Sequence, residues 1–299
     1  MRITTTVAEL RRELAGPRRA GQRIGLVPTM GAFHAGHLAL MQRARAECDV
    51  VLVSLFVNPA QFDDAGDLAA YPREIERDAE QAAAAGVDLL FAPGVDEVYP
   101  EGFGTSVAVS GLTERLEGAS RGRDHFTGVT TIVSKLFAMA GPDVAYFGQK
   151  DAQQVAVVRR MTADLNLPVE IVVCPTVRAP DGLALSSRNA HLSPAERERA
   201  RWLSRALSLI AAAIRGGERD PASATAQARA TITAAGAELE YLELVAPDSL
   251  EPVAAIEGPV LAVIAARIGT TRLIDNALLV PLDRIIDRDV ATLMAAPAA

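Results

Sequence analysis

Aromatic residues make up only 4% of this 299-residue sequence, too little for an extended base-stacking platform of the kind that grips single-stranded nucleic acid. There is no excess of positive charge either. Thirty Lys and Arg stand against thirty-seven Asp and Glu, a formal net charge of −7, so the dense cationic surface of a general nucleic-acid or anionic-membrane binder is missing. Two cysteines, Cys48 and Cys174, cannot make a disulfide framework and fit no metal-ligand spacing. No apolar run approaches the roughly 18–20 residues that cross a bilayer. The opening stretch, MRITTTVAELRRELAG, is charged throughout and lacks a secretory core. The expectation is a cytoplasmic protein with no nucleic-acid partner and no membrane partner.

What is present is ordinary for a globular enzyme: 49% hydrophobic and 22% charged residues. At roughly 150 residues per domain the length suggests two domains. Through residue 175, short β-branched runs alternate with Ala-rich helical patterns. Strands are expected at Arg23–Pro28, Asp49–Val57, Val87–Ala92, Val144–Phe147 and Val169–Cys174, with helices at Gly36–Glu47, Arg73–Ala85, Thr127–Ala140 and Ala152–Leu165. This rhythm predicts an α/β fold, a Rossmann-like parallel sheet with helices on both faces. From 176 to 283 the pattern changes to a smaller α+β C-terminal lid domain. It opens with one long helix over Ser193–Gly216, then a helix to Ala234, then strands at Leu239–Val245, Val260–Ala266 and Leu273–Val280. Residues 284–299 read as a loose tail.

Parallel sheets bind ligands beyond the carboxyl ends of their strands. The richest segment lies there: Pro28–His37, PTMGAFHAGH, between the first of those strands and its helix. Two glycines permit a tight turn, and the helix N-terminus offers unpaired N–H groups and partial positive charge to a phosphate. His34 and His37, three apart, point the same way on that first turn. The segment carries neither G-x-G-x-x-G nor G-x-x-x-x-G-K-[ST], so it is a different kind of phosphate site.

Three further polar clusters sit at strand ends or at the domain joint. In FVNPAQF, the neutral amides of Asn58 and Gln61 can fix hydroxyls or a carboxylate, or Asn58 can simply build an Asn-Pro turn. In FGQKDAQQ, Lys150 is a point charge for phosphate, and Asp151 either accepts from ribose hydroxyls or caps the helix. In LALSSRN, Ser186, Ser187 and Arg188 supply hydroxyls and a guanidinium fork for a polyphosphate.

PTMGAFHAGH, FVNPAQF, YPR (Tyr71–Arg73), HFTGV (His125–Val129), FGQKDAQQ, LALSSRN and GTTRLIDN (Gly269–Asn276) occur in this order over roughly residues 1–282. Together they resemble the pantoate–β-alanine ligase (pantothenate synthetase) family. Only the first motif is shared with the wider nucleotidyltransferases of His-x-Gly-His signature. The resemblance implies ATP-dependent condensation of (R)-pantoate with β-alanine to pantothenate through pantoyl adenylate, releasing AMP and pyrophosphate, on the way to coenzyme A. It implies ATP as co-substrate with Mg2+, no dedicated metal ligand, and a homodimer. Thr29, Met30, Gly31, Ala32, Phe33, His34, Ala35, Gly36 and His37 map to the ATP site, as do Gly148, Gln149, Lys150, Asp151, Val177, Leu185, Ser186, Ser187 and Arg188. His37 maps to the proton donor, with His34, Lys150 and Arg188 completing the catalytic set. Gln61 and Gln154 map to pantoate, Gln61 also lying beside β-alanine, with Asn58 and Pro28 in the same substrate set.

Three positions depart from the family pattern. SRGRDHF stands where a shorter SRPGHF-like run is usual, which leaves Arg121 and Arg123 without an assigned role. Gln149 replaces a Glu found in many relatives, and His191 replaces an aromatic residue.

Overall fold

The computed structural model describes residues 1–62 and 65–281. The chain divides into two compact units, one of Met1–Gly148 and Gln153–Cys174, the other of Gln149–Ala152 and the residues from Pro175 onward.

In the first unit, β1 (Arg2–Thr4), β2 (Ile24–Thr29), β3 (Val50–Leu55), β4 (Leu89–Phe91), β5 (Val144–Gly148) and β6 (Glu170–Cys174) form one sheet in the order β1-β4-β3-β2-β5-β6. Every pairing is parallel. The helices are α1 (Val7–Arg19), α2 (Ala35–Glu47), α3 (Ala65–Ala70), α4 (Ile75–Ala84), α5 (Val95–Val98), α6 (Glu117–Arg121), α7 (Arg123–Ala140) and α8 (Ala152–Asp164). The central strands read IGLVPT and VVLVSL and are buried almost throughout, because a parallel sheet covered on both faces needs apolar residues at every position rather than alternate ones. Val27, Val51, Val53, Leu90 and Val144 pack with Leu40, Met41 and Ala44 of α2 in one core cluster. Each such large side chain contributes about 1.5–3 kcal/mol by leaving water.

Strand order places the ligand-binding end. From β2 the chain moves outward through β3 to β4, then returns to lay β5 and β6 on the other side of β2. The reversal lies between β2 and β5, and their registered pairing covers only Gly25–Val144 and Leu26–Ala145. The registered pairing does not continue to their carboxyl ends, Thr29 and Gly148. A crevice at such a switch point is where sheets of this class bind ligands.

In the second unit, β7 (Glu238–Val245), β8 (Val260–Ile268) and β9 (Thr271–Leu279) form an antiparallel sheet in the order β7-β8-β9. With them go α9 (Pro194–Ala200), α10 (Trp202–Arg215) and α11 (Pro221–Ala234). Leu203, Leu207, Ile210 and Ile214 repeat at three- and four-residue spacing along α10 and bury against Ala228 and Ile232 of α11 and Leu242, Ile264 and Ala266 of the sheet. The fold is thus the expected parallel α/β sheet plus a small α+β region.

Differences from expectation are local. The edge strand β1 and helix α1 were not anticipated, although Thr6 and Glu9 form a reciprocal capping box at the start of α1. The single helix expected over Ser193–Gly216 is two helices. At Arg201 the backbone tightens to φ −60°, ψ −20°, close to 3-10 geometry, and the N–H bonds from Arg201 and to its carbonyl stretch to 3.3 Å. The tail expected at 284–299 lies outside the described residues. Among those described, no helix is long and apolar enough to cross a membrane.

Both cysteines are buried free thiols. Burial pushes the Cys174 thiol up to about 11, with Arg43 opposing and Glu47 adding to the shift. A thiol whose folded pKa lies above its unfolded value holds its proton longer in the native state, so its contribution to stability is complete below pH ~9 and is lost toward pH ~11. Thermal midpoints measured across pH 8–11 are expected to fall in that window. Cys174→Ala should flatten the fall; an unchanged slope would remove Cys174 as a source.

Candidate active site

Strand β2 ends at Thr29, whose hydroxyl donates to the Ser54 carbonyl of β3 at 2.6 Å and fixes the start of the turn. The chain then reverses through Gly31 (φ 87°) and Ala32 (φ 53°). A left-handed alanine is strained by about 1–3 kcal/mol. Asp78 of α4, 2% exposed, compensates: its carboxylate accepts from the Ala32 and Phe33 N–H groups, each at 2.8 Å. Hydrogen bonds to a charged acceptor are worth about 1.5–3 kcal/mol each, so the pair outweighs the strain.

The turn delivers His34 to the N-cap of α2, and the two histidines cap the helix reciprocally. His34 Nδ1 accepts from the Gly36 N–H at 3.1 Å, and His37 Nδ1 accepts from the His34 N–H at 3.3 Å. Their ring centroids lie 4.2 Å apart. Because both Nδ1 atoms accept, the pattern assigns the ring protons to Nε2, making each imidazole a donor at that atom. The glycine between them makes room for this cap: a Cβ on Gly36 would lie 2.8 Å from His34 Cε1. Two oriented N–H donors and the positive end of α2 are together suited to phosphate oxygens.

A second cluster lies at the end of β3. Asn58 is 1% exposed, and all four of its amide hydrogen-bonding capacities are used. Its Nδ2 donates to Gln61 Oε1 at 3.0 Å and to the Gly128 carbonyl at 3.1 Å. Its Oδ1 accepts from the Ala60 N–H at 3.3 Å and the Tyr99 hydroxyl at 2.7 Å. Asn58 is therefore internally satisfied, and its structural effect falls on Gln61. Gln61 Nε2 in turn donates to the Met30 sulfur at 3.1 Å. A thioether is a weak acceptor, so this N–H pair exchanges at little cost for a carboxylate or hydroxyl oxygen. His125 Nδ1 donates to the Gln61 carbonyl at 2.7 Å. Helix α7 approaches this segment so closely that a Cβ on Gly128 would lie 2.1 Å from the Ala60 carbonyl oxygen.

The motifs of the second unit are held by its own sheet. Asn276 of β9 donates from Nδ2 to the Gln149 and Lys150 carbonyls at 2.9 and 2.8 Å, and its Oδ1 accepts from Gln149 Nε2 at 3.0 Å. This anchors the 3-10 turn Gln149–Asp151. Lys150 is 18% exposed, its Nζ 3.3 Å from Asp151 Oδ1. Asp275, 2% exposed in its side chain, makes a two-point pair with Arg178 at 2.6 and 2.9 Å. That pair fixes the segment in which the Leu185 N–H bonds the Val177 carbonyl. Ser186 caps the 3-10 turn Ser187–His191 by accepting from the Arg188 N–H. Beside these segments, Thr176 Oγ1 and Asn189 Oδ1 are buried without a hydrogen-bond partner among the described residues, a cost of about 1–3 kcal/mol for each. No group of three or more His, Cys, Asp or Glu among the described residues is placed to hold a metal ion.

Within the first unit the structure brings together Thr29–His37, Asn58 and Gln61 as expected of neighbours at one sheet end. Pro28 lies in β2 itself, Gly148 closes β5, and Gln154 is half-buried on the first turn of α8. The adjacent Gln153 is locked inside, accepting from the Glu117 N–H at 2.9 Å and donating to the Leu112 and Arg115 carbonyls. Arg121 pairs with Glu117 and Arg123 with Glu114, the latter arginine largely exposed. His191 is exposed. Asp78, Tyr99, His125 and Gly128 carry roles that no spacing rule had assigned. The HFTGV motif contained the signal for two of them.

Gly128→Ala is expected to destabilise the protein by about 1–3 kcal/mol in denaturant titrations, since the added methyl must displace backbone rather than a side-chain tip. A stability within 0.5 kcal/mol, on the order of an ordinary surface change, would contradict the close approach.

Comparison with known proteins identifies the family. The family model for pantoate-beta-alanine ligase matches residues 2–278. The chain is 53% identical over 277 residues to the pantothenate synthetase of Heliobacterium modesticaldum, covering 92% of this chain and 98% of the relative. It is 51% identical over 280 residues to that of Koribacter versatilis, covering 93% and 96%. Among solved structures, pantothenate synthetase from Thermus thermophilus superposes with a TM-score of 0.89 at 48% identity, covering 94% of this chain and 100% of that one. The pantoate-beta-alanine ligase of Francisella tularensis, complexed with beta-gamma ATP and β-alanine, superposes with a TM-score of 0.78 at 34% identity, covering 93% and 97%. A family match along nearly the whole chain, relatives covered almost end to end and the same fold lead to one conclusion: the chain belongs to the pantoate–β-alanine ligase family.

Proposed function

We propose that the protein condenses (R)-pantoate with β-alanine in two steps, using magnesium–ATP as substrate. In the first, a pantoate carboxylate oxygen attacks the α-phosphorus, the bond to the bridging oxygen breaks, and pyrophosphate leaves. In the second, the β-alanine amine attacks the acyl carbon of pantoyl adenylate, AMP leaves with the acyl C–O electrons, and the amine gives up a proton. The observation that carries this reading is the reciprocal His34–His37 cap at the sheet's switch point, in a chain of this family.

A carboxylate is already ionised at pH 7, so the first step needs no general base. It needs in-line placement and relief of growing phosphate charge. The oriented Nε2–H groups supply that relief, His37 as proton donor and His34 beside it, with Met30–His37 lining the ATP at the positive end of α2. Thr29 and Gly31–Phe33 shape the turn. By the family resemblance, Lys150 adds a point charge for phosphate, Ser186, Ser187 and Arg188 add hydroxyls and a guanidinium fork, and Asp151, Val177 and Leu185 take the nucleoside end. Gln61 and Gln154 bind pantoate, with Pro28 alongside and Asn58 holding Gln61. The Francisella tularensis relative crystallised with beta-gamma ATP and β-alanine supports both substrate assignments. The same reading makes the protein a cytoplasmic homodimer, a state that light scattering of the purified chain tests directly.

The test of the reaction is ATP–pyrophosphate exchange. Exchange stimulated by pantoate is expected. Exchange without pantoate would indicate an adenylyltransferase that shares only the first motif, and no exchange would indicate an ATP-binding sensor. His37→Ala and Lys150→Ala should each lower pantoate-dependent exchange by roughly tenfold or more, the usual effect of removing a well-aimed donor, with circular dichroism unchanged. Wild-type exchange rates in both variants would overturn the site assignment.

A further inference from the structure

The Asn58–Gln61 pair has a third member that neither the motif nor the proposed chemistry accounts for. Tyr99 follows α5, and its hydroxyl donates to Asn58 Oδ1 at 2.7 Å. The other acceptor contact of that oxygen, with the Ala60 N–H, is longer at 3.3 Å. Burial raises the Tyr99 phenol to about 12, against a small opposing effect of its bond to Asn58, so it remains a donor throughout the physiological range. An amide has two faces that differ only in which end donates. The Ala60 N–H can only donate and the Gly128 carbonyl can only accept, so Asn58 turns Oδ1 to Ala60 and Tyr99 and Nδ2 to Gln61 Oε1 and Gly128. The Tyr99 hydroxyl supplies the shorter of the two bonds that hold Oδ1. With its oxygen occupied in this way, Gln61 must present Nε2 outward, where its partner is the weakly accepting Met30 sulfur.

The ring that supplies this hydroxyl is held by its surroundings. Phe56, at the end of β3, lies 6.1 Å from it in a tilted arrangement, and Phe103 packs edge-on at 5.1 Å. Lys135 of α7, one of the chain's two lysines, sits 4.3 Å over the Phe103 ring and 5.8 Å over Tyr99. Contacts of this kind orient aromatic rings as well as burying them. Lys135 lies two turns along α7 from Gly128, on the same helical face, so one face of α7 both accepts from Asn58 and clamps the tyrosine.

We propose that Tyr99 is a positioning residue for acid recognition: by its short bond to Asn58 it helps hold the amide of Gln61 as a donor toward the pantoate oxygens. This inference rests on the reading of Gln61 as a pantoate contact. A relay of this kind selects an acceptor-bearing substrate, and its loss is felt in pantoate binding rather than in ATP binding.

The experiment is a double-mutant cycle of Tyr99→Phe and Gln61→Ala, with pantoate affinity read by ligand-observed NMR, which reaches millimolar dissociation constants, and KM values read in parallel. Tyr99→Phe keeps the ring and its cage and removes only the donor. It is expected to weaken pantoate roughly 3- to 10-fold, the range of one hydrogen bond, while the KM for ATP stays within about twofold. In the Gln61→Ala background, Tyr99→Phe should add nothing, because the relay has lost its end. An equal effect in both backgrounds, or an ATP KM that rises as much as the pantoate KM, would overturn the relay. A neutral Tyr99→Phe beside a damaging Gln61→Ala would overturn the relay alone. Unchanged pantoate binding in Gln61→Ala would overturn the substrate-site reading, and the relay with it.

Discussion

The Asp78 carboxylate accepts two backbone hydrogen bonds from the turn between β2 and α2, and the arrangement of both histidines depends on them. The turn contains an alanine in the left-handed region, a conformation that a short chain segment would leave if it were not held. Once Ala32 and Phe33 are held, His34 becomes the N-cap and Gly36 its hydrogen-bond donor. His37 follows one turn later, with its own Nδ1 engaged. The donor character of the imidazoles at Nε2 thus rests on a carboxylate that is distant in sequence and bonded to the turn's backbone.

The site shows a general division between polar groups that are spent and polar groups kept in reserve. Asn58 uses its full hydrogen-bonding capacity inside the protein and Gln153 both of its donors and one acceptor site, so both act as struts. Gln61 is half-committed: its oxygen is taken by an amide, and its nitrogen is matched with sulfur among the described residues. A buried amide with strong partners costs too much to recruit, and one with no partners would be costly to keep dry. A weak acceptor such as Met30 keeps the donor oriented without competing for it.

Much of the architecture was legible in the sequence because the physics behind it is local. Buried parallel strands must be apolar at every position, and β2 and β3 announce themselves as such. The Gly-rich turn, the His-x-Gly-His spacing and the strand-end amides fall where sheet topology puts ligands. The residues that hold the site were not legible, for a matching reason. Asp78 sits in REIERDAE, where nothing distinguishes a buried acid from its solvated neighbours. Gln153 and Gln154 are identical in type and adjacent, and only the helical phase separates strut from candidate ligand. Tyr99 acts across 41 positions of sequence, and long-range pairing leaves no trace in spacing. Helix α1 is a different case: its Thr-x-x-Glu box was in plain view.

Strand β9 carries Asp275 and Asn276 side by side, and in a strand successive side chains leave on opposite faces. Asp275 grips Arg178, and Asn276 grips the peptide carbonyls of Gln149 and Lys150. If the hairpin of β8 and β9 slipped by one residue, every side chain would exchange faces. The carboxylate would then meet carbonyl oxygens, which offer it no proton, and the neutral amide would leave the charge of the guanidinium unanswered. A misregistered hairpin therefore gains little support from the segments it must hold. The lysine-bearing turn is thus tied to the register of a hairpin far from it in sequence, and the position of Lys150 depends on how β8 and β9 pair.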